Sequence, residues 1–129
     1  MQILTFLLND EQFAIDITLV DTLKNKMPVT PVPNSKKYII GLISNRGSVI
    51  PVINTSLLLH ENNSNNIFEK FIIINLGNEK LALAVNEIDD VLQIEEKNIE
   101  NINNDEDFSI INVNSNIITL LTYKQLKKI

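Results

Sequence analysis

The chain has 129 residues, 44% of them hydrophobic and 21% charged, with 16 acids against 11 bases and a formal net charge of −5. Ile, Leu and Val alone supply 45 residues, which excludes wholesale disorder, while no apolar run approaches the roughly 18 residues of a membrane-spanning helix. The acidic balance lacks the basic footprint of a nucleic-acid binder or of a protein held on anionic lipid, and the absence of cysteine removes disulfides, thiolate zinc sites and thiol catalysis.

Short aliphatic runs broken by turn residues dominate from the start, and they read as strands. QILTFLL at 2–8 is followed by a turn at NDEQ (9–12) and by FAIDITLVDTL (13–23). In the latter Phe13, Ile15, Ile17, Leu19 and Leu23 alternate as on one half-buried strand. NKMPVTPVP (25–33) carries three prolines and reads as extended coil, and NSKKYII (34–40) as one helical turn capped by Asn34 and stopped by Gly41. LISN (42–45), a turn at Arg46–Gly47 and SVIPVI (48–53) read as a hairpin whose Pro51, unable to donate, marks an edge or a bulge. Asn54 caps a short helix over 54–59, and HENNSNN (60–66) is a polar loop.

The pattern then restarts. KFIIINL (70–76), a GNE turn and KLALAVNEIDDVLQI (80–94) read as strand, turn and long strand. A polar connection at 95–107 leads to a second hairpin, 108–113 and 116–121, and to a terminal helix over 122–129 capped by Thr122. A constant shift of 68 residues superposes the two passes: 6–17 falls on 74–85, 48–53 on 116–121, and Asn54 on Thr122. Only seven of 61 aligned positions are identical, so the shared order of runs and turns carries the argument. It predicts one domain over 1–129 with two similar halves, roughly 1–61 and 69–129, each able to supply a small curled barrel. Phe13, Ile15 and Ile17 are expected to point inward, as are Leu81, Leu83 and Val85.

Groups that could carry chemistry are sparse. His60, the sole histidine, sits beside Glu61 in the Asn-rich loop and reads as solvated, because a general base needs a pocket and an orienting partner. The acidic groups at Glu87, Asp89 and Asp90 and at 105–107 do not have calcium-loop spacing and read as solvated faces. Gly41, Gly47 and Gly77 are too scattered for a phosphate cradle. No catalytic, cofactor-binding or metal-binding residue is expected. Arg46, the only arginine beside ten lysines, is ambiguous. It is either turn chemistry and solubility, or a planar fork placed for recognition.

GLISNRGSVIPVINTSLLL at 41–59 resembles the hallmark of CheW-like chemotaxis coupling domains: a Gly, an apolar residue, a polar pair before Arg-Gly, then an apolar strand with Pro-Val and a short helix. Residues 13–23, 28–41 and 80–94 are similar to further parts of that family, and the likeness covers about 3 to 128. The resemblance implies an all-β fold of two five-stranded SH3-like barrels sharing a hydrophobic core, with short helical turns. It implies a non-enzymatic cytoplasmic adaptor, recruited to membrane-associated receptor arrays, that couples the cytoplasmic tips of methyl-accepting chemoreceptors to the regulatory domain of the histidine kinase CheA. It places partner-binding positions at Val20, Thr22, Leu23, Gly41 and Arg46.

The chain departs from the family pattern at several of these points. Thr22 stands where a Glu that can pair with the hallmark Arg is common, and Asp21 beside it is expected on the opposite strand face. Asn54-Thr55-Ser56 replaces Asp-Leu-Arg, Asn86 replaces an Asp, and a Gly before the last hairpin is missing near Ser109 and Ile110. Competing readings are an interaction module of a larger signalling protein, a divergent paralogue with other partners, and a small-ligand-binding β-barrel or an unrecognised enzyme. Met1 and the short ends favour a free-standing adaptor.

Overall fold

In the computed structural model, which describes residues 1–59, 68–101 and 109–127, nearly every aliphatic run is a strand. In chain order these are β1 (Gln2–Leu8), β2 (Glu11–Asp16), β3 (Val20–Asn25), β4 (Ile39–Asn45), β5 (Ser48–Asn54), β6 (Lys70–Leu76), β7 (Glu79–Val85), β8 (Glu87–Gln93), β9 (Ile99–Asn101), β10 (Ser109–Val113) and β11 (Asn116–Leu121). Two one-turn helices, α1 (Thr55–Leu58) and α2 (Tyr123–Leu126), follow β5 and β11. Each is capped as its sequence predicts: Leu57 N donates to Asn54 Oδ1 at 3.1 Å and Gln125 N to Thr122 Oγ1 at 3.1 Å.

The shift of 68 residues is written into the architecture. It carries Gln2–Leu8 onto Lys70–Leu76 and Thr55–Leu58 onto Tyr123–Leu126 without remainder. It also carries the left-handed hairpin residues Arg46 and Gly47 onto Asn114 and Ser115. The two sheets correspond as well, in the orders β8-β1-β2-β11-β10-β9 and β3-β6-β7-β5-β4. The first has one strand more, because β9 pairs with β10 where the other sheet has a single bridge, Thr30 to Leu42.

The all-β class and two similar SH3-like barrels are present, but neither barrel belongs to one half of the sequence. Each sheet takes a two-strand hairpin from one half and the remaining strands from the other. The exchange happens inside segments that the alternation marks as single strands. Residues 13–23 break at a 3-10 turn over Ile17–Leu19, where the Asp16 carboxylate accepts from Thr18 N at 3.0 Å and from Thr18 Oγ1 at 2.9 Å. Residues 80–94 break at Asn86, whose N–H donates to Leu7 O at 3.1 Å and whose Oδ1 accepts from Asn9 N at 2.8 Å. The apolar alternation continues through the first break at Ile17 and Leu19, so there the pattern alone does not reveal that the chain has changed sheets; at the second it loses phase, from Leu81, Leu83 and Val85 to Ile88 and Leu92.

Burial follows from this weave. Leu4, Phe6, Phe13, Ile15, Ile72, Ile74, Leu81, Leu83 and Val85 form the central cluster between the sheets, with the Phe6 and Phe13 rings stacked at 6.1 Å. Phe13, Ile15 and the Leu81–Leu83–Val85 trio thus face inward as alternation requires, and Ile17 is half-buried against the same cluster from its turn. The opposite faces are buried too. Ala82, Ala84, Ile43, Ile50 and Val52 fill one barrel, and Ala14, Ile111, Ile118 and Leu120 the other. A fully buried Ile or Leu contributes about 1.5–3 kcal/mol of transfer free energy, so the aliphatic richness of the chain is what sustains three small clusters.

Two local expectations are corrected. Residues 34–40 are not a helical turn: Asn34 is left-handed at φ 60° and β4 begins at Ile39. Gly41 does not stop a helix either, since it lies buried within β4. A Cβ there would sit 2.8 Å from Val29 Cγ1 and from the Thr30 carbonyl carbon, so glycine admits the close approach of the proline segment. Its counterpart Ser109 is buried and donates to Asn101 Oδ1 at 2.7 Å. The expectations for His60, the 60–66 loop, the acidic run at 105–107 and Lys128 lie outside the described residues.

Candidate partner-binding surface

β3 is an edge strand, hydrogen-bonded to β6. Its register shifts between Val20, opposite Ile74, and Thr22, opposite Ile73, so Asp21 is the extra residue of a β-bulge. Val20 and Thr22 are half-buried, and Leu23 is exposed at 45%. The bulge overturns the expectation that Asp21 faces away. Its carboxylate receives Lys80 Nζ from β7 at 3.2 Å, and a hydrogen bond from Asn75 on β6 supports it. The bond to Lys80 is the main reason that the Asp21 carboxyl titrates below its ordinary value of 3.8, and the charge of Arg46 adds to the same effect.

Arg46 sits at the tip of the β4–β5 hairpin. Arg46 at φ 52° and Gly47 at φ 79° make the two-residue turn with both central residues left-handed, the geometry that matches strand twist and selects Asn-Gly. An ordinary L side chain in that conformation costs about 1–2 kcal/mol. Arginine therefore occupies a position where asparagine folds better, and its side chain is exposed.

Beside the hairpin, β5 and β7 diverge. Their parallel pairing begins only at Val52 with Ala82, and Ser48–Pro51 and Asn78–Leu81 line an open depression between them. Pro51, although its strand lies inside the sheet, is thus an edge residue on the β7 side, as its missing N–H predicts. Val49, 69% exposed, forms one wall. Lys80 lines the same depression while bonding Asp21 on the other side. Among the sequence-predicted positions, Val20, Thr22 and Leu23 share one edge, whereas Arg46 stands apart at the β4–β5 hairpin tip, linked to that edge only by the effect of its charge on Asp21. Gly41 is buried and shapes the hairpin through its backbone. Lys80, Asn75 and the orientation of Asp21 were not foreseen from the sequence. Asp21 is one of the few positions identical across the shift of 68, and that was the available signal.

The other barrel repeats the site with its charges changed. Asp89 matches Asp21 and accepts from Gln12 Nε2 at 2.8 Å and from Thr5 Oγ1 at 3.3 Å. Gln12 stands where Lys80 does, and Asn114 where Arg46 does. Exposed Val91 and Ile117 repeat Leu23 and Val49. Among the described residues no group of three or more His, Asp or Glu is placed to hold a metal ion, and no helix is long and apolar enough to cross a membrane.

Two interlocked SH3-like barrels thus share an aliphatic core, and an edge strand of one carries exposed aliphatics. The pattern of the CheW-like domain family matches residues 2–126, and the chain belongs to that family. A chemotaxis protein CheW of Rhizobium meliloti is 25% identical over 100 residues, covering 77% of this chain and 64% of that protein. A chemotaxis protein CheW of Bacillus subtilis is 31% identical over 100 residues, with the same 77% and 64% coverage. The chain therefore spans somewhat less than two thirds of the length of these relatives. The crystal structure of the scaffolding protein TtCheW from Thermoanaerobacter tengcongensis superposes with a TM-score of 0.82 at 25% identity, covering 94% of this chain and 88% of that one.

Proposed function

We propose that this chain is a non-enzymatic cytoplasmic adaptor that couples the cytoplasmic tip of methyl-accepting chemoreceptors to the regulatory domain of the histidine kinase CheA. Family membership supports the scaffold role. The observation that carries the site is Arg46, exposed and left-handed at a hairpin tip where a smaller residue is the better fold. In this reading Arg46 supplies directional hydrogen bonds to a partner carboxylate or carbonyl. Val20, Thr22 and Leu23 supply apolar area and an unpaired strand edge. Gly41 contributes by allowing the proline segment to brace the hairpin. The kinase docks through barrel-to-barrel contact at a sheet edge or barrel end. The acidic surface serves no nucleic acid, and nothing inserts into the bilayer.

The test is a titration of the purified chain against a receptor-tip fragment, the CheA regulatory domain, and both together. Saturable binding, weakened by about 1–3 kcal/mol in Arg46→Ala, supports the reading. Binding by neither protein removes the coupling function, and equal affinities for both variants remove Arg46 from the contact.

A further inference from the structure

We propose that Lys80 is a positioning residue for the β3 edge: it clamps the bulge at Asp21 from across β6, and the clamp fixes the outward presentation of Leu23 to a partner. The proposal rests on the reading of β3 as a partner contact and deepens it. An edge strand has a neighbour on one side only, and a bulge leaves one of its residues outside the ladder. Asp21 is that residue in β3. It is tied down from β7, the third strand in, where Lys80 Nζ donates to Asp21 Oδ2 at 3.2 Å. Two strand spacings amount to roughly 10 Å, a reach that suits the long lysine side chain. Asn75, opposite Lys80 in the β6–β7 register, bonds the same carboxylate.

The other edge repeats the device. Leu4 pairs with Val91 and Phe6 with Ile88, so two residues of β8, Asp89 and Asp90, stand against one of β1, Thr5. Asp89, the equivalent of Asp21, is again tied down from the third strand: Gln12 Nε2, at the place of Lys80, donates to Asp89 Oδ2 at 2.8 Å. Two residues past the acid, each edge leaves an aliphatic side chain 45% exposed, Leu23 in one and Val91 in the other. Bulge, cross-strand clamp and outward aliphatic thus recur together in halves that share only seven of 61 positions. A one-residue change of register turns a strand's side chains to the opposite face, so holding the extra residue in place decides where Leu23 points. Only the donor differs, an ammonium on β3 and a neutral amide on β8.

Two measurements test this. Amide hydrogen exchange in the free protein compares wild type, Lys80→Met and Lys80→Gln. In Lys80→Met the β3 amides that pair with β6 are expected to exchange about twofold to fivefold faster, with the β7 and β8 amides unchanged. Lys80→Gln, which copies the clamp of the other barrel, is expected to return towards wild-type rates. Unchanged β3 rates in Lys80→Met, an equal rise throughout the domain, or no recovery in Lys80→Gln overturns the proposal. Titration against the receptor-tip fragment and the CheA regulatory domain then compares Lys80→Met in the wild-type and Leu23→Ala backgrounds. It is expected to weaken binding about twofold to fivefold in the first and to change little in the second, because the side chain it presents is gone. An equal loss in both backgrounds shows that Lys80 touches the partner itself and overturns the proposal, as does no loss in either. If wild type binds nothing, the coupling reading fails, and exchange in the free protein still decides the clamp.

Discussion

Replacing Arg46 with asparagine should separate folding from binding. Arg46 sits at φ 52° before Gly47 at φ 79°, a pair of left-handed residues that favours Asn-Gly. The equivalent hairpin of this same chain already uses asparagine, with Asn114 at φ 51° and Ser115 at φ 69°. Arginine pays about 1–2 kcal/mol to be there, and asparagine is several-fold enriched in that conformation. The Arg46 side chain is exposed, so little packing is lost. Arg46→Asn should accordingly raise stability by about 0.5–1 kcal/mol, or about 2–6 °C in Tm for a domain of this size. The same change should reduce affinity for the receptor–kinase pair by about 1–3 kcal/mol, roughly fivefold to 150-fold. Thermal unfolding and calorimetric titration of one preparation read both quantities. A variant that is more stable and binds as well as wild type would refute the claim that arginine is kept for recognition, and a clear loss of stability would refute the account of the turn.

Gly41→Ala should destabilise by about 1–3 kcal/mol in chemical denaturation, because the new methyl meets the Val29–Thr30 segment. Leu83→Ala, in the centre of the shared core, should cost about 2–5 kcal/mol in the same assay. Asn54→Ala removes the cap bond to Leu57 N and should cost about 0.5–2 kcal/mol. Because the folded-state Asp21 carboxyl lies below its ordinary value of 3.8, its stabilising contribution is present above that pH and fades as the pH falls through the depressed folded value. Asp21→Asn should therefore make the acid side of the stability curve shallower, as read from denaturation midpoints between neutral pH and about pH 3.

Most of the fold was legible in the order of aliphatic runs. The shift of 68 residues, poor in identities, places β1 on β6, β5 on β11 and α1 on α2, because runs and turns are dictated by burial and left-handed tips rather than by residue identity. The provenance of the barrels was not legible. Ile17 and Leu19 keep the apolar alternation through the 3-10 turn, and a two-residue period does not say which sheet a residue faces. Helix signals at 34–40 failed for a different reason: the close approach of Thr30 to Gly41 is a tertiary contact that a local cap cannot overrule. At the site, the strand edge and the hairpin tip were visible as Val20–Leu23 and Arg46. The place of Asp21 was not, because a bulge depends on the register of β3 against β6, which lies about 50 residues away along the chain. Nothing in the sequence sets Lys80 apart from the other nine lysines; the pairing of β7 with β6 is what brings it to Asp21.

The central claim is that this double barrel joins two partners. Its most direct measurement is a titration of the wild-type chain into labelled CheA regulatory domain, alone and in the presence of a receptor-tip fragment, followed by co-sedimentation of the three. The account predicts saturable binding to each partner and a species containing all three, with the receptor arm weakened in Arg46→Ala and the fold intact. A folded chain that binds neither partner, or that binds both only in mutually exclusive complexes, contradicts it.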